Sequence, residues 1–197
     1  MEKAVFFMED LCIRVLEGRW GRQVEYALRY PQTAAGNTPF DRWWRRQAEA
    51  VCRAAAREPG RFPTRFCSEW QETRRDGRFA SGFLEVSRCI GHGDWTLWRI
   101  SATFSPEYPH PLRLQQLLGR DWQRALQPFI LQQLEELSAG ETPFFRNWRR
   151  RCRPGGYYLT PEGLCLWFPQ EQLAPKNAGL PTILLPYDGL DILRPLC

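Results

Sequence analysis

The segment YYLTPEGLCLWFPQEQLAP, residues 157–175, contains two short apolar runs separated by a turn signal. The runs at 157–159 and 164–168 are rich in aromatic and aliphatic residues, a composition typical of strands. Between them, Thr160-Pro161-Glu162-Gly163 places proline and glycine at positions compatible with a four-residue hairpin turn. The segment therefore predicts a β-hairpin followed by a loop that is interrupted by prolines.

Strand patterns recur along the rest of the chain. They occupy residues 23–30, 65–73, 79–89, 94–104 and 182–185. The first of these alternates polar and apolar residues and is predicted to end at Pro31. The turn signal Arg75-Asp76-Gly77 joins the second to the third. We therefore expect an antiparallel meander.

Two segments have the apolar spacing of amphipathic helices. The first follows Asn37-Thr38-Pro39, and its apolar positions are Phe40, Trp43, Trp44, Ala48, Val51, Cys52 and Ala55. The second contains Trp122, Leu126, Ile130, Leu134 and Leu137. Pro128 lies inside the second and predicts a kink or a later start. The sequence thus predicts a single α+β domain over residues 1–197, an antiparallel meander sheet with two or three helices packed on one face.

Composition limits the classes of protein that the chain can belong to. Hydrophobic residues make up 43% of its 197 residues and aromatic residues 14%, enough for a substantial core. No segment approaches the roughly 20 consecutive apolar residues of a membrane span. The apolar run at 4–8 is too short for the centre of a secretory signal. From this chain we expect a cytoplasmic location.

The cysteine pattern indicates neither a disulfide framework nor a zinc site. There are seven cysteines, an odd number, and no two of them form a CxxC pair. They are Cys12, Cys52, Cys67, Cys89, Cys152, Cys165 and Cys197. We predict reduced thiols that act mainly as small buried hydrophobes, with the terminal Cys197 as the exposed exception. No metal or cofactor is predicted.

Basic residues concentrate in two aromatic-rich clusters, FDRWWRRQ at 40–47 and FFRNWRRRCR at 144–153. The net charge is +5 and arginine supplies nearly all the cations. Guanidinium groups mixed with aromatic rings suit a nucleic-acid surface, which would use Arg42, Arg45, Arg46, Arg149, Arg150 and Arg151. Helical spacing favours a different interpretation, in which the tryptophans face the core and the arginines face solvent. Nucleic-acid binding is therefore kept as an alternative function.

The C-terminal third resembles a known family. The motifs are GGYYLTPEGLCLWF at 155–168, QEQLAP at 170–175, Ala178-Gly179 and LLPY at 184–187. In order and spacing they are similar to the RsiV-type domain, a module of unknown function found in the anti-sigma factor RsiV and the deacetylase PdaC. The resemblance is strong over residues 157–187 and looser over 24–156.

This resemblance implies a non-catalytic binding or sensor domain. In RsiV the domain binds lysozyme, so the implied ligand is a lysozyme-like protein or a peptidoglycan-type glycan, and relatives are mostly extracytoplasmic. The expected contacts are His92 and Trp95 beside a glycine-rich turn, and Gln170 and Glu171 in the loop after the hairpin. A chain with a charge of +5 is not attracted over long range to a basic lysozyme.

A third alternative is a hydrolase that uses Cys89 and His92. Cys89, His92 and Asp94 lie within RCIGHGDW, a spacing that could support a thiol nucleophile and a base. The simpler interpretation is a turn between two strands, in which Gly91 and Gly93 supply backbone freedom. The chain contains neither a Gly-x-Ser-x-Gly elbow nor a phosphate-binding loop. We therefore expect no catalytic activity.

Overall fold

The computed structural model describes residues 10–58, 62–91, 93–140 and 143–189. Within them, eight strands form two sheets. The five-stranded sheet has the order β1 (Leu11–Trp20), β2 (Val24–Thr33), β3 (Thr64–Arg75), β4 (Ala80–Ile90) and β5 (Asp94–Phe104). The three-stranded sheet has the order β6 (Gly156–Leu159), β7 (Gly163–Trp167) and β8 (Thr182–Pro186). The helices are α1 (Pro39–Ala55), α2 (Leu114–Leu118), α3 (Trp122–Ser138) and α4 (Trp148–Arg151), and short 3-10 turns cover Lys176–Ala178 and Tyr187–Gly189.

The meander predicted for β3, β4 and β5 is confirmed, since both pairs are antiparallel. The β2–β3 pair is parallel, beginning at Val24 opposite Thr64, because α1 carries the chain across between them. The prediction that β2 ends at Pro31 is wrong. Pro31 pairs in register with Ile13 of β1, at a point where β2 has already stopped pairing with β3. A residue without an N–H is tolerated there because no β3 partner needs that donor.

Helix α1 packs on one face of the five-stranded sheet, as its apolar spacing predicts. Phe40, Trp44, Ala48, Val51 and Ala55 are buried. The helix begins at a capping box, in which the Thr38 side chain accepts from the backbone N–H of Asp41 and the Asp41 carboxylate accepts from the N–H of Thr38. The two tryptophans of the first arginine-rich cluster thus pack in the core between α1 and the five-stranded sheet, and Trp44 is fully buried there.

The three-stranded sheet and α3 enclose a second core. Its buried members include Leu126, Ile130 and Leu134 of α3 and Leu164 and Leu166 of β7. Helix α3 begins at Trp122 and contains Pro128, so the proline does not delay its start. The α+β class is confirmed. The helices, however, divide between the two sheets, with α1 against the first and α3 against the second.

The two sheets meet through β6, which lies against β4 and β5. Phe83 of β4 packs with Tyr158, Cys165 and Trp167 in a small cluster between them. On the free edge of β6, the backbone N–H of Leu159 donates to Ser81 Oγ at 2.8 Å, and its carbonyl accepts from Thr73 Oγ1 at 2.6 Å. Hydroxyl groups of the large sheet therefore bond to the backbone of Leu159 at the edge of the small sheet. Without them, this edge would be open to pairing with another strand.

The cysteines of the described segments are free thiols, but most are less buried than expected. Cys165 is buried, whereas Cys12 is exposed. The predicted exposed exception, Cys197, lies outside the described residues. Burial raises the pKa of the Cys152 and Cys165 thiols. Among the residues that the structure describes, no helix has the length and apolar composition needed to cross a bilayer.

Candidate functional site

A single row of side chains crosses the five-stranded sheet at one end. In the strand registers, Arg19 lies opposite Glu25, Glu25 opposite Arg65, Arg65 opposite Cys89 and Cys89 opposite Trp95. Directly opposed residues project from the same face of a sheet. Neighbouring positions such as Val24 and Phe66 are buried under α1, so the row projects from the face that α1 leaves uncovered.

This row borders a cleft of about 360 Å³, here called the sheet-end cleft. Its lining includes Arg22, Glu25, Thr64, Arg65, Cys89 and Trp95. The indole of Trp95 is 45% exposed, a large fraction for a tryptophan. The cleft therefore combines an accessible aromatic ring with polar groups of both charges, a composition common in ligand sites.

Charges in the sheet-end cleft centre on Glu25. Its carboxylate is bonded to Arg19 and lies 3.5 Å from an Arg65 Nη atom. The hydrogen bond from Arg19, followed by that cation's charge, lowers the pKa of Glu25. At neutral pH the carboxylate is ionised, and among the described lining residues the guanidinium groups of Arg22 and Arg65 give a positive balance.

The predicted Cys–His pair is only partly described. The Cys89 thiol is half-buried and donates to the carbonyl oxygen of Gly91 at 3.7 Å. Gly91 has a φ of 60°, in the left-handed region, which agrees with the predicted glycine turn. His92 lies outside the described residues. Within those residues, no three His, Cys, Asp or Glu side chains are grouped closely enough to hold a metal ion.

Gln170 connects the loop after β7 to the strand that carries Trp95. Its Oε1 accepts from the backbone N–H of Leu97 at 2.9 Å, and its Nε2 donates to the carbonyl of Lys176 at 3.1 Å. The adjacent Glu171 is exposed and has a φ of 61°. The structure thus brings Gln170 beside β5, where it bonds to Leu97, two residues from Trp95, and both the oxygen and the nitrogen of its side-chain amide already bond within the chain.

Sequence reasoning missed the charged residues of the sheet-end cleft. Glu25 lies in a predicted strand whose alternation was recognised, and Arg65 begins another predicted strand, but nothing in the local sequence pairs one residue with the other. Their contact depends on the parallel register of β2 and β3, and the two residues are 40 positions apart. Arg22, in the β1–β2 turn, was missed because β1 was not predicted. Most β1 residues are exposed, so the strand carries little apolar signal.

The arginine-rich clusters lie on helices that pack against different sheets. On α1, Arg42 Nη1 donates to the carbonyl of Asn37 at 2.7 Å, Arg45 pairs with Glu49 at 3.0 Å, and Arg46 is exposed. These contacts agree with a solvated helix face.

On α4, Arg149 pairs with Glu135 of α3 at 2.5 Å, Arg151 lies 5.6 Å from the ring centroid of Phe145, and Arg150 is exposed. Trp148 between these arginines is buried. Neither cluster therefore combines its arginines with a fully exposed tryptophan of the same helix.

Comparisons with known proteins find a family match in the C-terminal half and a shared fold over nearly the whole chain. Residues 116–188 match the model of a protein family of unknown function, DUF3298. A crystal structure of a DUF3298 family protein from Pseudomonas aeruginosa PAO1 is similar to this chain with a TM-score of 0.65 and 15% identity, over 94% of each chain. A member of the same family from Bacteroides fragilis NCTC 9343 is similar with a TM-score of 0.59 and 11% identity, also over 94% of each chain.

A search of functionally curated proteins finds no match. The matched segment contains the whole of the three-stranded sheet, together with α3 and α4. Residues 116–188 are therefore similar to the DUF3298 family of unknown function, and nearly the whole chain shares its fold with two solved proteins of that family.

Proposed function

We propose that the protein is a non-catalytic binding module of the RsiV type and that it binds its ligand at the sheet-end cleft. The observation that carries the proposal is the exposed indole of Trp95 next to Arg22, Glu25 and Arg65 in one concave site. Tryptophan and arginine are enriched among the few residues that dominate binding free energy at protein interfaces. The motif resemblance over residues 157–187 supports the proposal that the protein is a binding module. It does not support any particular position for the binding site.

The ligand that best fits the sheet-end cleft is a peptidoglycan fragment. A sugar ring presents an apolar C–H face that packs on an indole and hydroxyl groups that bond to charged side chains. Peptidoglycan also carries carboxylates, which arginine side chains such as Arg22 and Arg65 bind in a forked geometry. A basic lysozyme fits less well, because the chain's charge of +5 repels it.

Gln170 has a positioning role in this proposal. By bonding the N–H of Leu97 and the carbonyl of Lys176, it holds the loop of Glu171 against β5. A glycan that extends beyond the indole of Trp95 would meet this loop. His92, which lies outside the described residues, is the remaining predicted contact.

Calorimetric titration of the reduced protein with soluble muropeptides tests the proposal. Replacing Trp95 by alanine removes the aromatic platform, and we expect affinity to fall by about tenfold or more. The matched control is Phe129→Ala, which removes an exposed aromatic ring of similar accessibility, 47%, from α3. Equal muropeptide affinity in wild type, Trp95→Ala and Phe129→Ala would overturn the site.

The same titration separates the alternatives by ligand and salt. Binding to c-type lysozyme, lost in Trp95→Ala, would keep the site and change the ligand class. Binding to a DNA duplex alone would favour the arginine-rich clusters, with log affinity falling by about 0.9 per contacted phosphate for each unit of log salt concentration. Release of product from a muropeptide would overturn the non-catalytic assignment, and Cys89→Ala would then test the thiol.

A further inference from the structure

A second, larger cleft lies against the core that α3 and the small sheet enclose. It runs between α3 and the segment that joins α4 to β6, and its volume is about 850 Å³. Here it is called the arginine cleft, after Arg124, Arg149 and Arg153 in its lining. Its volume is in the range of sites that hold compact organic ligands.

The floor of the arginine cleft is apolar. Leu114, Trp122, Leu131 and Cys152 are half-buried and pack against the second core while also lining the cleft. Their remaining exposed surface therefore faces the cleft. Covering it with an apolar group would be favourable, by roughly 25 cal/mol for each Å² removed from water.

The rim is cationic. Arg124 and Arg153 are exposed, and Arg149 is held by a 2.5 Å ion pair with Glu135. Glu135 lies outside the lining, and no acidic side chain is among the described residues that line the cleft. Because both partners of the Arg149–Glu135 pair are more than half exposed, their mutual attraction is weak and an incoming anion can compete for the guanidinium.

We propose that the arginine cleft binds an amphipathic anion, a carboxylate or phosphate head on an apolar body. The guanidinium groups of Arg124, Arg149 and Arg153 take the head, since forked N–H donors match the oxygen geometry of carboxylates and phosphates. The apolar body lies over Trp122 and Leu131. This site is separate from the sheet-end cleft and does not depend on the function proposed there.

Charge and shape together distinguish this ligand class from a nucleic acid. A phosphate backbone needs a cationic track that continues along the surface. The other arginine cluster, on α1, lies against a different sheet. The cationic groups of the arginine cleft instead surround one apolar floor, an arrangement suited to a small amphiphile.

The experiment uses Cys152 as a reporter, because it lines the cleft while the exposed Cys12 lies on β1. The full chain is titrated with decanoate and with decyl phosphate, both below their micellar concentrations. Inorganic phosphate and the uncharged octyl glucoside are titrated in parallel. Binding is measured by calorimetry, and protection of each thiol from iodoacetamide is measured by mass spectrometry. We expect both anionic amphiphiles to bind and to slow alkylation of Cys152 several-fold, leaving Cys12 unchanged.

The variant Arg124→Ala/Arg153→Ala should weaken both amphiphiles by about tenfold or more. Its control, Arg45→Ala/Arg46→Ala, removes two exposed arginines from α1 and should leave affinity unchanged. Thermal unfolding verifies that both variants fold. Comparing decanoate with decyl phosphate shows whether the cleft takes a carboxylate head, a phosphate head or both. Each of these three results satisfies the proposal.

Four results would overturn it. If octyl glucoside bound as tightly as decanoate, the cleft would recognise only an apolar group and its arginines would not select an anion. Inorganic phosphate binding as tightly as decyl phosphate would remove the role of the floor. Unchanged affinity in Arg124→Ala/Arg153→Ala would remove the role of the rim. Protection of Cys152 by a DNA duplex and by neither amphiphile would assign the surface to nucleic acid.

Discussion

At the scale of single residues, Asp41 is the clearest case of a charge that holds two elements together. It is buried, with 4% relative exposure, at the start of α1. Its carboxylate accepts from the backbone N–H of Thr33 at 2.6 Å, the Thr33 hydroxyl at 2.7 Å and the backbone N–H of Thr38 at 2.8 Å. One side chain thus caps the helix and anchors it to the end of β2.

We predict that Asp41→Ala lowers the free energy of unfolding by about 3 kcal/mol, because it leaves the buried donors of Thr33 and the half-buried donors of Thr38 without an acceptor. Urea denaturation measures the loss. The control is Glu49→Ala, which removes the exposed partner of Arg45 and should change stability by less than about 0.5 kcal/mol. Equal effects of the two substitutions would contradict this assignment.

Asp41 also marks what local sequence can and cannot reveal. The spacing Thr38-x-x-Asp41 is that of a capping box and is visible in the sequence. The bonds to Thr33 are not, because they require β2 and α1 to meet at a particular angle. Burial of a charged residue on the α1 core face was consequently not predicted.

At the scale of elements, the turn of the β6–β7 hairpin was predicted correctly, but the physical reason for its glycine was not. The sequence marks Gly163 as a turn residue, and the N–H of Thr160 does donate to its carbonyl at 2.9 Å. Its φ, however, is not in the left-handed region. A Cβ at this position would lie 2.3 Å from the carbonyl oxygen of Leu185 in β8, so glycine is required by the close approach of the two strands.

Gly163→Ala should therefore destabilise the protein by about 1–3 kcal/mol, since the backbone of β7 or β8 must shift to admit the methyl group. Gly77→Ala, in the turn between β3 and β4, is the matched control because a Cβ there meets no atom within 4 Å. Thermal unfolding of the two variants checks the difference. A neutral Gly163→Ala would show that the strands of the small sheet are not so closely apposed.

At the scale of the whole molecule, two tyrosines near the contact between the sheets make the free energy of unfolding sensitive to pH in the alkaline range. Burial raises the pKa of Tyr157, whose hydroxyl donates to the carbonyl of Leu112 at 2.6 Å. Burial is also the largest cause that raises the pKa of Tyr158 to about 12. The folded state thus retains protons that the unfolded chain releases near pH 10.

It follows that the free energy of unfolding should fall as pH rises above about 10, by up to about 1.4 kcal/mol per pH unit for each tyrosine. For Tyr158 this loss continues until about pH 12, where the folded state also loses its proton. Urea denaturation between about pH 8 and about pH 11 measures the slope. Tyr157→Phe should remove part of it, and Tyr158→Phe a further part. A slope that persists in full in both variants would assign it to other groups.

The candidate sites show the same division between local and global information. Trp95 and Gln170 were predicted from a turn and a loop motif, and the structure does bring Gln170 to the strand of Trp95. Arg124 of α3 was not singled out, and its meeting with Arg149 and Arg153 across one cleft depends on how α3 packs beside α4. No sequence period links residues on separate elements.

By itself, the sequence determined the α+β class, the β3–β4–β5 meander, the β6–β7 hairpin and the buried face of α1. Each of these follows from spacings of a few residues, because side chains alternate along a strand and recur every three or four positions on a helix. Only the tertiary structure decided that the strands divide into two sheets, that β2 and β3 run parallel, and that charged residues gather in the two clefts. Those features depend on contacts between residues far apart in the chain, whose free energies are set by packing of whole elements and leave no local pattern.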